Sequence, residues 1–184
     1  MFDRTPPPSM DCFEAAALPY MKDLYRAAFS MLGNRTEAED AVQEAYMRAW
    51  KAFDRFEPGT NCKAWLFKIL VNIVRNHRRS WFVRSRVKDF EVEALDDSAV
   101  YQPPVAEKLT DGQIVGALQA LPNTFSEVIL LVDVQEFTYK EAQETLGIPI
   151  GTVMSRLSRG RKLLREKLCE AGVTLQQERA AVHA

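Results

Sequence analysis

The sequence predicts an all-α protein: two small helical domains joined by a flexible acidic linker. Three observations carry this reading. Apolar side chains recur at spacings of three and four residues, with no sustained alternation and only 8 glycines in 184 residues. Capping boxes, in which a Thr is followed three residues on by Glu or Gln, stand at Thr36, Thr110 and Thr138. Charge is segregated: Lys63 to Lys88 holds eight basic residues and no acid, and Asp89 to Asp111 holds seven acids and one base, Lys108. The net charge of -1 therefore conceals blocks of opposite sign.

In chain order, residues 1–10 carry Pro6-Pro7-Pro8 and read as a disordered tail. A first helix is expected from Asp11 to Leu32, kinked at Pro19, with Phe13, Ala17, Tyr20, Met21, Leu24, Ala28 and Met31 inward. Gly33-Asn34 ends it. The next helix opens at the Thr36–Glu39 box and runs to about Phe53. Ala38, Val42, Ala45, Ala49, Trp50 and Phe53 form its core side, opposite Asp40, Gln43, Glu44, Met47, Arg48 and Lys51. A loop at RFEPGTNC, residues 55–62, is marked by Pro58-Gly59. A third helix follows from Lys63 to Ser80, with Trp65, Leu66, Ile69, Leu70, Ile73 and Val74 inward. Its other side shows Lys68, Asn72, Arg75 and Arg79 as one stripe, a surface suited to tracking phosphates.

The domain boundaries are placed at 11–84 and 108–170, with a linker over 85–107 and a frayed tail over 171–184. The second domain begins with a short helix from the Thr110–Gln113 box to Ala120, broken at Leu121-Pro122. A helix over Phe125 to Gln135 then buries Phe125, Val128, Ile129 and Val132.

Thr138 to Leu168 reads as helix, tight turn, helix. Thr138 and Glu141 start it, Gly147 supplies a left-handed helix end, and Pro149 stops simple continuation. Val153, Leu157, Gly160, Leu164 and Leu168 make one apolar stripe of the second helix. Opposite lie Gly151, Thr152, Ser155, Ser158, Arg159 and Lys162, flanked by Met154, Arg156 and Arg161. Gly151 to Arg165 contains five basic residues and no acid. Small residues at a helix start admit a phosphate, and Arg and Ser further along reach base edges in a major groove.

Cys12, Cys62 and Cys169 form no CxxC, and with only His77 and His183 there is no metal-ligand pattern. Reduced thiols in a cytoplasmic protein are expected. No signal peptide or long apolar run is present, so a soluble protein without membrane insertion is expected. There is no catalytic Ser/His/Asp set and no Gly-rich phosphate loop. No cofactor, no metal and no small-molecule substrate are expected, and the chain is read as no enzyme.

The segments DLYRAAFSMLGN, AEDAVQEAYMRAWKAFDRF and GTNCKAWLFKILVNIVRNHRR resemble region 2 of bacterial sigma factors. LQALPNTFSEVILLVDVQEFTYKEAQETLGIPIGTVMSRLSRGRKLLREKL resembles region 4. In this order, with so short a linker, they resemble the extracytoplasmic-function (ECF) group of the sigma-70 family.

That resemblance implies roles. Asp40, Gln43, Glu44, Met47, Arg48 and Lys51 would dock on the β′ clamp helices of core RNA polymerase, whose β flap is a further expected contact. The loop Phe56 to Cys62 and the helix after it would read the −10 promoter element and capture a flipped base, through Phe56, Asn61, Lys63, Lys68, Asn72, Arg75, Asn76 and Arg79. Trp65 is a further candidate there, more at home in the core. In the −35 element, Met154, Ser155, Ser158 and Arg159 would face bases, and Tyr139, Gly151, Thr152, Arg156 and Arg161 phosphates. The acidic linker would thread toward the RNA exit path. An anti-sigma factor is the expected regulator. Two departures stand out: Ala142-Gln143 replaces the usual bulky aliphatic and alanine, and Met154 stands where a basic residue is frequent.

Three other functions are weighed against parts of the sequence. A helix-turn-helix regulator would bind duplex DNA alone, but leaves the first domain's acidic and basic helices unexplained. A sigma-like mimic would only sequester an anti-sigma factor, yet would not need Arg75, Arg78, Arg79, Arg156 and Arg159. A nuclease would need carboxylates clustered near a basic groove; here they sit mostly in the linker.

Overall fold

A computed structural model describes residues 9–57, 59–85 and 111–182. Among them the regular structure is helical, with no strand. The expected linker, the Thr110 box and most of the N-terminal tail lie outside the described residues.

Helix α1 (Met10–Ala17) is capped by Ser9, whose side chain accepts from the Cys12 N–H. Pro19 does break the first expected helix: Leu18–Tyr20 forms a 3-10 turn before α2 (Met21–Leu32). At this break the Tyr46 hydroxyl donates to the Ala17 carbonyl at 2.8 Å, tying α3 to the end of α1. Burial, with a smaller contribution from the Cys62 thiol, pushes that hydroxyl up to about 12. Met21 does not turn inward as expected but is 45% exposed, because the 3-10 turn rotates the stripe.

Gly33 ends α2 in the left-handed region at φ 70°. Helix α3 (Arg35–Ala52) then starts earlier than expected. Its cap is Asn34, accepting from the Glu37 N–H, and not Thr36. Asn34 is already extended and polar, so it takes the cap first. Ala38, Ala41, Val42, Ala45 and Ala49 are buried, whereas Trp50 remains 38% exposed. Small alanines let α2 and α3 approach closely, which pushes the bulkier Trp50 to the edge, against Phe13.

Helix α4 (Cys62–Ser85) is longer than the expected helix and is buried on more than one side. Leu66, Leu70, Ile73 and Val74 are buried as expected and Trp65 and Ile69 in part, but Phe67 and Val71 are buried as well. Phe67 meets Phe137 of the second domain edge-on, ring centroids 5.2 Å apart. The core is thus continuous between the two domains.

In the second domain, α5 (Asp111–Gln119) and α6 (Asn123–Ile129) flank Leu121-Pro122, and α6 runs into a π turn over Leu130–Val134. Glu136 follows at φ 60°, a left-handed residue that swings the chain back and seats Phe137 in the core. Helices α7 (Tyr139–Leu146) and α8 (Ile150–Val182) complete the unit. The backbone of α8 stays helical to Val182, past the Ala171 at which fraying was expected.

Gly160 sets the crossing of α8 on α6. A Cβ there would lie 2.9 Å from Ile129 Cδ1 and 3.2 Å from Phe125 Cβ. Gly160→Leu should therefore cost about 3 kcal/mol by overpacking. Urea denaturation checks this: the midpoint should fall, and an unchanged midpoint would show that the crossing is loose.

Candidate nucleic-acid interface

The helix-turn-helix is held by local bonds. Thr138 Oγ1 accepts from the Glu141 N–H at 3.2 Å, and Glu141 Oε2 accepts from the Thr138 N–H at 2.8 Å. The bond from the Thr138 N–H, and after it one from the Thr138 hydroxyl at 2.8 Å, hold the Glu141 carboxyl below its ordinary range. Gly147 closes α7 at φ 67°, its N–H donating to the Gln143 carbonyl. The Pro149 carbonyl accepts from Thr152 and Val153, starting α8. Ala142 is fully buried, so the turn packs without a larger side chain.

The sign of the Glu141 effect is fixed. A lowered folded value means stability that is present above the unfolded carboxylate range, about 4.3, and lost as pH falls through the folded value. Glu141 is half-buried at the surface, where solvent screening limits the effect to less than about 1 kcal/mol. Glu141→Gln should lower the melting temperature near neutral pH, with the difference shrinking in acid. A difference that stayed constant with pH would remove the charge from the explanation.

Helix α8 divides as its stripe predicts. Val153, Leu157 and Gly160 are buried, while Gly151, Met154, Ser155, Ser158 and Arg159 are exposed and Thr152 and Arg156 half-buried. Tyr139, at the start of α7, is exposed on the same unit. The Ser155 hydroxyl donates back to the Thr152 carbonyl. Arg161 is exposed but not idle: its guanidinium forks onto Asp133, at 3.0 and 2.6 Å. That bond, ahead of the charge itself, raises the arginine's basicity. Its expected phosphate contact would have to compete with Asp133.

The α4 surface divides less simply. Lys68, Asn72, Asn76 and Arg79 are exposed, as a phosphate-tracking stripe requires. Four other candidates are already engaged. Asn61 caps α4, accepting from the Ala64 N–H at 3.0 Å, and its amide donates to Glu141 across the domain boundary. Lys63 donates to the Gln135 carbonyl at 3.1 Å and lies 3.5 Å from Asp23. Arg75 donates to Glu127 and to the Leu146 carbonyl at the end of α7. Phe56 stacks on Phe53 at 5.6 Å and touches Trp65 at 5.0 Å, so Trp65 belongs to an aromatic cluster.

Sequence reasoning missed Glu127 as a site residue. It is the lone acid in the apolar run FSEVILL, which is the signal of a buried charge with a partner. Its partners are Arg75 and Arg78 of α4.

On α3, Asp40, Gln43, Met47 and Lys51 are exposed, with Glu44 and Arg48 paired along the helix. Between α2 and α3 lies an open groove of about 690 Å³, with Met21, Tyr25, Val42, Tyr46 and Met47 in its wall. The candidate docking residues therefore border apolar surface rather than plain solvent-facing charge.

The chain matches the Sigma-70 region 2 family over residues 17–81 and the Sigma-70, region 4 family over residues 111–164. It is 35% identical over 161 residues to the ECF RNA polymerase sigma factor EcfG of Rhodopseudomonas palustris, covering 85% of each chain. It is 32% identical over 173 residues to the ECF RNA polymerase sigma factor SigE of Mycolicibacterium smegmatis, where it covers 85% of this chain and spans 65% of the relative's length. Among solved structures, the sigma factor RpoE in complex with the anti-sigma factor NepR, from Bartonella quintana, is similar at a TM-score of 0.70 and 33% identity, covering 85% of this chain and 96% of that one.

Proposed function

The chain belongs to the ECF sigma factors of the sigma-70 family, and from that premise we propose that it binds core RNA polymerase and directs initiation at promoters. The observation that carries this reading is one chain presenting two separate faces of different chemistry. The α8 surface at Met154, Ser155, Ser158 and Arg159 suits a major groove and would read the −35 element. The α3 surface at Gln43 and Met47, beside the α2–α3 groove, suits a protein partner and would dock the β′ clamp helices.

The stripe Lys68, Asn72, Asn76 and Arg79 would follow melted non-template strand at the −10 element. The polymerase supplies the phosphodiester chemistry, and this chain none. Met154 offers an apolar contact to a thymine methyl rather than a bidentate grip on guanine. The likeness to a sigma factor bound to an anti-sigma factor supports such a partner here as well. No described helix is long and apolar enough to cross a membrane, in keeping with work beside cytoplasmic polymerase.

Co-purification with core polymerase, followed by capture of genomic DNA, tests this reading. The complex should retain a small set of fragments that neither component retains alone. Tight duplex binding by the protein without polymerase would instead favour an ordinary helix-turn-helix regulator.

A further inference from the structure

Helix α8 has two unlike flanks. At about 100° per residue, Thr152, Arg156 and Arg159 fall on one flank, and Ile150, Met154 and Arg161 on the other. The buried line Val153, Leu157 and Gly160 runs between them on the inner side, and Gly151, Ser155 and Ser158 on the outer side. The first flank is cationic, and no acid between Gly151 and Arg165 offsets it. The second is not. Among the described residues of α8, Ile150 at 46% and Met154 at 52% are the large apolar side chains left exposed. The cation beside them, Arg161, is answered by Asp133, whose carboxylate accepts from the guanidinium at 3.0 and 2.6 Å. From Ile150 to Arg161 this flank is therefore apolar and nearly neutral.

Ile150 is the first residue of α8, and Met154 lies one turn on. In a helix-turn-helix, the residues at the start of the second helix are the ones that meet base edges. The major groove offers an apolar side chain one partner, the C5-methyl group of thymine. Four residues of helix advance about 6 Å, against about 3.4 Å for a base step. Charge favours duplex DNA over a protein as the occupant: the neutral strip lies beside Arg156 and Arg159 on one narrow helix, and a polyanion with apolar methyl groups in its groove covers both at once.

We propose that Ile150 and Met154 are specificity-determining residues of the −35 contact, a pair of methyl readers that select thymine at two positions about two base steps apart. The proposal rests on the promoter reading and adds the base chemistry that this helix selects. Ile150 enters as a reading residue, and the cationic flank is left to phosphates and guanine edges.

The test uses holoenzyme reconstituted from core polymerase and the full chain, on a promoter fragment recovered by genomic DNA capture. Each thymine of its −35 segment, on either strand, is replaced in turn by uracil, which keeps the pairing edge and lacks only the methyl group. A methyl group lost from an apolar contact should weaken binding about fourfold, and two thymines should show that loss. One should become indifferent to uracil in Met154→Ala and the other in Ile150→Ala, while Met154→Leu and Ile150→Val should keep the difference. Both side chains are exposed, so the alanine variants keep the fold. A −35 segment without thymines at that spacing would overturn the proposal at the outset. So would a parent holoenzyme indifferent to uracil at every position, or a uracil effect that survives in either alanine variant. Weaker binding of an alanine variant to core polymerase itself would overturn it by placing this flank against protein. A scrambled −35 segment judges the promoter reading apart from this: unchanged binding there is a failure of that reading, whereas a scrambling effect with no uracil effect is a failure of the methyl readers alone.

Discussion

Replacing Arg159 with alanine should lower promoter-dependent transcription about tenfold or more while leaving affinity for core polymerase unchanged. Arg159 is exposed on the face of α8 opposite Val153 and Leu157. Its loss removes no core packing, so the fold should keep its stability within about 0.5 kcal/mol. A well-placed arginine contributes about 1–3 kcal/mol of base discrimination. That corresponds to roughly 5- to 150-fold. Promoters altered in the −35 element should be less sensitive to the substitution than intact ones. Loss of core binding, with promoter choice intact, would show that α8 faces the polymerase.

Met47→Asp should produce the opposite division. Met47 is 54% exposed on α3, beside the groove formed with Met21 and Tyr25. A carboxylate placed there meets water in the free protein and costs little. In a complex it would be buried without a partner, a penalty comparable to losing an interface hot spot of about 2 kcal/mol, or about 30-fold in affinity. Core binding should fall by that amount, measured by competition with the parent protein. The urea midpoint of the full chain should be unaffected, because Met47 is exposed. Unchanged core affinity would move the docking surface elsewhere.

Much of this architecture was legible in the sequence because helices announce themselves locally. The Thr138–Glu141 box, Gly147 and the Val153–Leu157–Gly160 stripe need only near neighbours to be read, and all are realised. The starting point of α3 is ambiguous in sequence because Thr36 and Asn34 both offer a capping oxygen, and only the backbone geometry decides between them. Met21 and Trp50 were placed inward by period alone, which cannot anticipate a 3-10 turn or the close approach permitted by a row of alanines.

The second burial of α4 was harder to see. Phe67 and Val71 sit one turn apart, a short apolar pair beside the basic stripe. Their partner Phe137 is far away in sequence, beyond a linker that carries no information about docking. The same distance hid the Glu127 contact with Arg75 and Arg78. For that reason the basic run of α4 reads as one free surface in sequence, while in the structure Lys68, Asn72, Asn76 and Arg79 are open and Arg75 and Lys63 are engaged.

The most direct test of the central claim is run-off transcription from a pool of genomic promoter fragments, using purified core polymerase freed of other sigma factors, with and without this protein. New transcripts should appear only with the protein present, and their start sites should share a pair of upstream motifs. Demonstrated binding to core polymerase with no new transcript from any fragment would contradict the claim.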